Sequence, residues 1–208
     1  MRFNFLACFL FLAIGGALAQ DVSLKDVVKA FEDADIPKIL AINFKPKLLL
    51  EVTFPQESET AVTLKAGVQL ARNATKGPPT FAIRGVRTPG PFVIAMVDPD
   101  APTPQDPWAA QIRHYLGGNH TVHDRGGALK NQTSAITEYL QPGPPAGSDA
   151  HRYIFLLFKQ PKDFAAQEVI TPSTSVVAFN ISGFAETVGL GEPLAGTFMR
   201  VAPDPPAV

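Results

Sequence analysis

Apolar residues recur at helical spacing near the start of the chain and in short runs further along it. Residues 22–34 carry them at intervals of three and four, and Ser23 can serve as a cap, so we predict an amphipathic helix that Pro37 ends. Residues 48–70 show short alternating or apolar runs, separated by Pro55 and polar residues. That pattern indicates strands.

Two later runs, residues 92–97 and 153–158, are apolar throughout and predict strands that are buried on both faces. Such strands need covering layers on both sides, which favours a β-sandwich or a large central sheet with peripheral helices. Residues 173–190 indicate a short helix that ends at Gly189, and the proline-rich tail from Ala202 is expected to be extended. The 20 prolines and 16 glycines agree with a loop-rich, mostly β protein.

The first nineteen residues have the pattern of a secretory signal peptide. Arg2 precedes an apolar stretch over residues 5–14, and Ala17 and Ala19 satisfy the small-x-small rule for cleavage after Ala19. The apolar stretch is about half of the roughly twenty residues that a membrane-spanning helix needs. We therefore expect a secreted or secretory-pathway protein without a transmembrane segment, in which residues 20–208 form a single domain.

Four Asn-x-Ser/Thr triplets support export, because such sequons accept glycans in the secretory pathway. Each triplet also arises by chance. Asn73 and Asn131 lie in polar stretches flanked by glycine or proline and are the best candidates, whereas Asn180 can instead cap a helix. The full set of predicted glycosylation sites is Asn73, Asn119, Asn131 and Asn180.

Composition excludes several kinds of chemistry. The single cysteine, Cys8, lies in the predicted leader, so the mature chain has no disulfide, no thiolate nucleophile and no cysteine metal ligand. The formal net charge is -1 without a basic stripe, which makes nucleic acid an unsuitable partner. There is no Gly-x-Ser-x-Gly elbow and no zinc signature, and we expect no cofactor.

Candidate chemistry begins where the first buried strand ends, at Asp98 and Asp100. Prolines on either side stiffen this segment, which can aim a partly desolvated acid at a ligand, although Asp-Pro is also common in ordinary turns. A second candidate is His114, in a short strand-like run beside Arg113, where a structural role is the alternative. A third is the glycine- and proline-rich loop of residues 141–147.

Two side chains follow that loop and lie two positions apart. His151 and Tyr153 therefore point to the same face of the second buried strand. Elsewhere, His120, His123 and Asp124 have a spacing that metal sites can use. They occupy a polar loop beside a sequon, however, and we predict no metal site.

These motifs occur together, in the same order, in one family. Asp98-Pro-Asp-Ala-Pro, Asp106-Pro, His114-Tyr, Gly143-Pro-Pro and His151-Arg-Tyr resemble the phosphatidylethanolamine-binding protein family, also called the Raf kinase inhibitor protein family. The resemblance is strong over residues 92–160 and extends to Pro193-Leu-Ala-Gly-Thr. It implies a large central β-sheet packed on a smaller sheet, with peripheral helices.

The resemblance also implies one pocket for a small phosphate- or carboxylate-bearing ligand. His N–H, Tyr O–H and loop N–H groups would donate to the ligand's oxygens, and Asp98 would orient a histidine tautomer or accept from an ammonium headgroup. The implied lining residues are Asp98, Asp100, His114, Pro144, Pro145, His151 and Tyr153.

Two departures from the family pattern concern this pocket. Ile112 and Arg113 replace the tryptophan and second histidine that many relatives have before the pocket histidine. The chain ends soon after residues 197–200, so we expect no C-terminal helix of the kind that closes the pocket in mammalian members. This short-tailed form resembles bacterial and secreted fungal members.

Three functions are compatible with such a pocket. The first is a secreted binding module for a phospholipid headgroup or another small anion. The second is inhibition of a serine carboxypeptidase or another protease. The third is assistance in coupling anhydride or carboxylated monomers beside a biosynthetic enzyme, as some fungal members of the family are thought to do. Whether the protein is an enzyme therefore stays open.

Overall fold

The fold is built on one curled, nine-stranded sheet. In the computed structural model, which describes residues 20–57, 60–85 and 90–205, the strand order is β2-β1-β4-β7-β6-β5-β8-β9-β3. All neighbours are antiparallel except the pair β3 and β9. The strands are β1 Leu48–Phe54, β2 Val62–Thr63, β3 Val68–Leu70, β4 Thr80–Gly85, β5 Phe92–Asp98, β6 Ile112–Val122, β7 Ala128–Asn131, β8 His151–Lys159 and β9 Ala195–Val201.

Three α-helices accompany the sheet within the described residues: α1 Leu24–Asp33, α2 Ile36–Ile39 and α3 Ile181–Thr187. Short 3₁₀ turns occupy Arg72–Thr75 and Lys162–Ala166. The mostly β class with a central sheet and peripheral helices is therefore confirmed. Hydrogen bonds join all nine strands into this one sheet, which curls so that β1 lies against β9. Next to this contact, Leu48 donates its N–H to the carbonyl of Leu194 at 3.1 Å.

β5 separates the two halves of the hydrophobic core. It lies between β6 and β8, and all of its residues are buried. Side chains alternate across a strand, so Val93, Ala95 and Val97 face the cluster that includes α1 and α3, whereas Ile94 and Met96 face the cluster that includes β1. A strand buried in this way carries its last residue, a carboxylate, into a poorly hydrated place.

The first helix forms as predicted. The Ser23 hydroxyl oxygen accepts the N–H of Asp26 at 3.3 Å, and Val27 and Phe31 are buried. The helix ends at Asp33, and the chain turns through Asp35, which has a φ of 55°. Pro37 then lies in the first turn of α2, a position that needs no N–H, so proline begins a second helix here.

The helix predicted within residues 173–190 is shorter than expected and begins only at Ile181. The preceding segment gives its carbonyl groups to the side chain and backbone of Arg113, which bind Thr174, Ser175 and Val176. Those carbonyls are therefore not available for a helix. Asn180 caps α3 instead, accepting the N–H of Gly183 at 3.0 Å, as the capping alternative predicted.

Two predictions concern the ends of the chain. The predicted leader, residues 1–19, lies outside the described residues. The tail from Ala202 has no regular secondary structure as far as Pro205, and residues 206–208 lie outside the description. Within the part of the chain that the structure covers, no helix has the length and apolar character needed to cross a bilayer.

Candidate functional site

The predicted site residues meet at one end of the sheet. Asp98 is the last residue of β5, His151 and Tyr153 lie at the start of the neighbouring β8, and His114 lies near the start of β6. The rings of His151 and Tyr153 are stacked with centroids 6.3 Å apart, and His114 meets the Tyr153 ring edge to face at 5.0 Å. The expectation that His151 and Tyr153 share a strand face is confirmed.

Asp98 and His151 form a buried pair. The Nδ1–H of His151 donates to Oδ2 of Asp98 at 2.8 Å, and the two residues are 1% and 2% exposed, respectively. Burial lowers the pKa of His151, but the hydrogen bond and charge of Asp98, helped by Asp100 and the Pro102 carbonyl, outweigh it and raise the pKa above its ordinary value. Asp98 thus orients a histidine tautomer, one of the two roles suggested for it.

Asp100 lies beside this pair but is occupied by Arg152. One Asp100 oxygen accepts both the backbone N–H and Nε–H of Arg152, at 2.8 and 2.9 Å, and the other oxygen accepts from its Nη2. Arg152 also donates to the carbonyl of Ala34. A forked guanidinium–carboxylate pair of this kind satisfies both oxygens of the carboxylate. Asp100 therefore fixes the start of β8 through Arg152 and has no free oxygen directed at a ligand.

His114 keeps one ring nitrogen available. Its Nδ1–H donates to the carbonyl of Leu140 at 2.8 Å, which leaves a lone pair on Nε2 in the neutral ring. Burial lowers the pKa of His114, against the opposing effects of the Leu140 bond and the Asp98 charge, so the neutral form is favoured. Nε2 bonds to no described protein group and is not sealed from solvent, so a ligand can reach it.

Tyr153 completes the site under the proline-rich loop. Burial, first of all, and the charge and hydrogen bond of Asp98 raise the pKa of the Tyr153 hydroxyl, while the N–H of Gly143 opposes that rise. The phenol therefore stays protonated and can donate. Of the two predicted loop prolines, Pro144 is buried and Pro145 is exposed.

Arg72 fixes the position of this loop. Its Nε–H donates to the carbonyl of Pro142 at 3.0 Å, and its Nη1 pairs with Asp204 in the C-terminal tail at 2.8 Å. The side-chain amide of Gln141 donates back to the carbonyl of Arg72 at 2.9 Å. The loop is thus bound on one side to Arg72, and through Arg72 to the tail.

Sequence reasoning missed Ser148, Arg152 and Arg72. Ser148 is half-buried at the end of the loop, with its hydroxyl 2.9 Å from Nε2 of His151. The three-residue separation of Ser148 and His151 is not a recognised motif, and Arg72 is distant in sequence, so neither carried a signal. Arg152 stood inside a quoted motif, but its pairing with Asp100 depends on the fold.

Arg113, one of the two departures from the family pattern, points away from the site. It is 1% exposed, donates to the Thr137 hydroxyl at 2.6 Å and lies 5.0 Å from the centre of the Phe179 ring. Burial lowers its pKa. Within the described residues it has no carboxylate partner, so carbonyls, a hydroxyl and an aromatic face stabilise its charge.

His120 and His123, whose spacing a metal site could use, lie in different surroundings. His120 is buried, with Nε2 accepting the Tyr115 hydroxyl at 3.0 Å, whereas His123 is exposed. No group of three potential metal ligands is present in residues 20–57, 60–85 and 90–205.

The four sequons differ in accessibility. Asn73 and Asn180 are exposed, although Asn180 serves as a helix cap. Asn119 exchanges bonds with Gln160 and Thr133, and Asn131 is half-buried with its amide 3.4 Å from the Tyr115 hydroxyl. Glycosylation stays a prediction at all four, and Asn73 is the most accessible candidate without a competing bond.

A family model and a curated protein are similar to this chain in sequence. Residues 53–199 match the family model described as phosphatidylethanolamine-binding protein. The chain is 32% identical over 158 residues to Protein BROTHER of FT and TFL 1 of Arabidopsis thaliana, a match that covers 76% of this chain and 81% of that one.

Two solved structures share the fold. A carboxypeptidase Y inhibitor, determined in complex with its cognate proteinase, superposes with a TM-score of 0.74 at 20% identity, over 86% of this chain and 96% of that one. A phosphatidylethanolamine-binding protein from Plasmodium vivax gives 0.68 at 13% identity, over 86% and 98% of the two chains.

Proposed function

Because the chain belongs to the phosphatidylethanolamine-binding protein family, we propose that it binds a small phosphate- or carboxylate-bearing ligand beside His114 and Tyr153. The observation that carries this proposal is the free Nε2 of His114, placed edge to face with Tyr153 under a loop that Arg72 holds. Asp98 and Asp100 are both paired, so the ligand contacts fall to His114, Tyr153 and the loop.

The protonation state of His114 determines what this site prefers. A neutral ring with Nδ1–H bonded to Leu140 offers Nε2 as an acceptor, which suits a ligand that brings its own proton, such as a phosphate monoester monoanion. A fully ionised anion binds only if the ring first takes up a proton. Either way, binding is coupled to one proton.

A phospholipid headgroup is the form of ligand that we favour. Three apolar side chains near the start of β6 are exposed: Trp108, Leu140 and Val177. Leu140 donates its N–H to the His114 carbonyl, the residue before Val177 bonds to Arg113, and the residue after Trp108 bonds to Ala178. Trp108 is 73% exposed and is the single tryptophan of the chain. Exposed apolar side chains on segments next to a polar site suit an amphiphile, and tryptophan suits the membrane–water interface.

The test compares inorganic phosphate with vesicles of phosphatidylethanolamine and phosphatidylcholine. Phosphate should shift the ring signals of His114 in NMR spectra and leave the Trp108 fluorescence unchanged, whereas a membrane-bound headgroup should also shift that fluorescence to the blue. The phosphate affinity should rise as the pH falls from 8 to 6, by up to about tenfold per pH unit for one linked proton.

His114→Gln should weaken phosphate binding at least tenfold, whereas His123→Gln, which changes an exposed histidine outside the site, should not. His151→Ala is a poor probe because it leaves Asp98 buried without its partner. An affinity that does not depend on pH, or that survives His114→Gln, would refute the site.

We place this binding outside the cell or in the secretory pathway, as in secreted fungal members. The support is the leader pattern of residues 1–19 and the exposed sequon at Asn73. Expression in a secreting host should release a protein whose N-terminus is Gln20. A retained Met1 would contradict this.

Inhibition of a serine carboxypeptidase is a second candidate. The exposed Trp108 is an observation in its favour, because exposed tryptophan is enriched where proteins bind one another. Addition of the protein to carboxypeptidase Y should then lower its activity, and Trp108→Ser should abolish the effect. Full carboxypeptidase activity at a molar excess of the protein would exclude this candidate.

A further inference from the structure

Three side chains of the site are arranged as a hydroxyl, an imidazole and a carboxylate in series. The hydroxyl of Ser148 lies 2.9 Å from Nε2 of His151, and Nδ1 of the same ring lies 2.8 Å from Asp98. We infer from this geometry that Ser148 is a nucleophile that accepts acyl groups from activated esters or anhydrides, with His151 as its base and Asp98 as the residue that positions the base. This activity goes beyond the proposed binding function and uses different side chains, although the His151 ring lies against Tyr153 of the binding site.

The carboxylate and the base are preorganised. Asp98 keeps Oδ2 for His151, while its Oδ1 accepts the N–H of Asp100 at 2.8 Å. Because Asp98 accepts a hydrogen bond from Nδ1–H, the neutral ring keeps its lone pair on Nε2, directed at Ser148. The ion pair that forms when His151 takes a proton is shielded from water, which favours proton transfer from the serine.

The surrounding carbonyl groups define a resting and a reactive state. In the protonated ring, Nε2–H donates to the Pro102 carbonyl at 3.1 Å and to the serine oxygen, and the Ser148 hydroxyl donates to the Asp149 carbonyl at 2.9 Å. In the neutral ring the hydroxyl turns to donate to Nε2. The Pro102 carbonyl and Asp98 favour the resting form, so reactivity should appear as the pH rises.

The loop makes Ser148 reachable. Ser148 is half-buried, and its N–H closes a turn by donating to the Pro145 carbonyl at 3.1 Å. Gly147 in this turn has a φ of 85°, a conformation that glycine adopts without strain. The next N–H groups, of Asp149 and Ala150, donate to no acceptor in the described part of the chain and are the donors that we assign to the oxyanion.

The reaction is a balanced acyl transfer. The Ser148 oxygen forms a bond to the carbonyl carbon of the ester while its proton passes to Nε2 of His151. The bond from carbon to the leaving oxygen then breaks, and the leaving group takes that proton. Water, activated by the same imidazole, hydrolyses the acyl-serine and releases the acid, so the sum is ester plus water giving acid plus alcohol.

A fluorophosphonate probe tests the nucleophile directly. The wild-type protein should be labelled at one site, which tandem mass spectrometry assigns to Ser148, at a rate that rises with pH and then levels off. Ser148→Ala should abolish labelling, and Ser173→Ala, at an exposed serine, should leave it unchanged. His151→Gln should slow it at least a hundredfold. Absence of labelling between pH 6 and 9, or labelling that survives Ser148→Ala, would overturn the inference.

A second variant does not depend on the choice of probe. Ser148→Cys, in a Cys8→Ser background, places a thiol against His151, and its pKa should fall below the ordinary value for cysteine. A thiol with an ordinary or raised pKa would count against the arrangement. Phosphate titration of Ser148→Ala separates the two proposals, because the response of His114 should persist whether or not Ser148 is reactive.

Discussion

Two buried imidazole–hydroxyl pairs in this molecule differ in one group. His151 meets the Ser148 hydroxyl at 2.9 Å and His120 meets the Tyr115 hydroxyl at 3.0 Å, and both rings are almost fully buried. The second nitrogen of His151 donates to Asp98, whereas Nδ1 of His120 has no partner among the described residues.

The carboxylate reverses the direction in which the pKa of the buried histidine shifts. Desolvation lowers the pKa of His120 to about 4, so that ring stays neutral, whereas Asp98 more than compensates for desolvation at His151 and raises its pKa. A buried histidine beside a hydroxyl therefore stays neutral or takes up a proton more readily according to whether a carboxylate accepts from its other ring nitrogen.

The largest expected effect comes from removing the carboxylate charge beside His151, which makes its surroundings resemble those of His120. Asp98→Asn removes the charge, so the pKa of His151 should move from above to below its ordinary value in an NMR titration. Fluorophosphonate labelling of Ser148 should slow about a thousandfold, equivalent to about 4 kcal/mol in activation free energy. Asp106→Asn, at an exposed aspartate of the following loop, is the control. A His151 pKa that stays raised would show that Asp98 is not its cause.

The next largest effect concerns the stability contributed by the buried, neutral His120. His120 takes up its proton only near pH 4 in the folded protein but near 6.5 in the unfolded chain, so its contribution to stability is present above pH 6.5 and is lost as the pH falls toward 4. The loss should reach about 3 kcal/mol in the free energy of unfolding.

His120→Phe should flatten this part of the pH dependence in urea denaturation between pH 7 and 4.5. His123→Phe, at an exposed histidine of the same hairpin, should keep the wild-type slope. Parallel curves for the wild type and His120→Phe would contradict the assignment.

The smallest effect concerns the support behind the site. Arg152→Lys replaces a fork that binds both oxygens of Asp100 with a single ammonium group, and should cost about 1–2 kcal/mol of unfolding free energy. Arg125→Lys is the matched control at an exposed arginine. Equal stability of the two variants in urea would mean that the fork contributes nothing beyond charge.

Several strands of the sheet and the position of the site could be predicted from the sequence. Apolar runs predicted β1, β5 and β8 because burial on one or both faces leaves a mark at every position, and strand periodicity placed His151 and Tyr153 together. β4, β7 and β9 were not predicted as strands. The residues of β9 are of mixed size and polarity without an alternating pattern.

The partner that each site residue binds could not be predicted from the sequence. Asp98 and Asp100 look equivalent in the sequence, yet one binds His151 and the other Arg152, because only the fold decides which side chain lies opposite each carboxylate. The same holds for Arg113, which stands next to the pocket histidine in the sequence but is used to hold residues 174–176.

The link from Asp204 through Arg72 to the Pro142 carbonyl has a practical consequence for anyone who works with the protein. Only four residues separate Asp204 from a purification tag fused after Val208. Because Asp204 belongs to an ion pair that holds the ligand loop, a fusion at this end can change the affinity that is measured. Binding studies should therefore compare tagged protein with protein from which the tag has been removed.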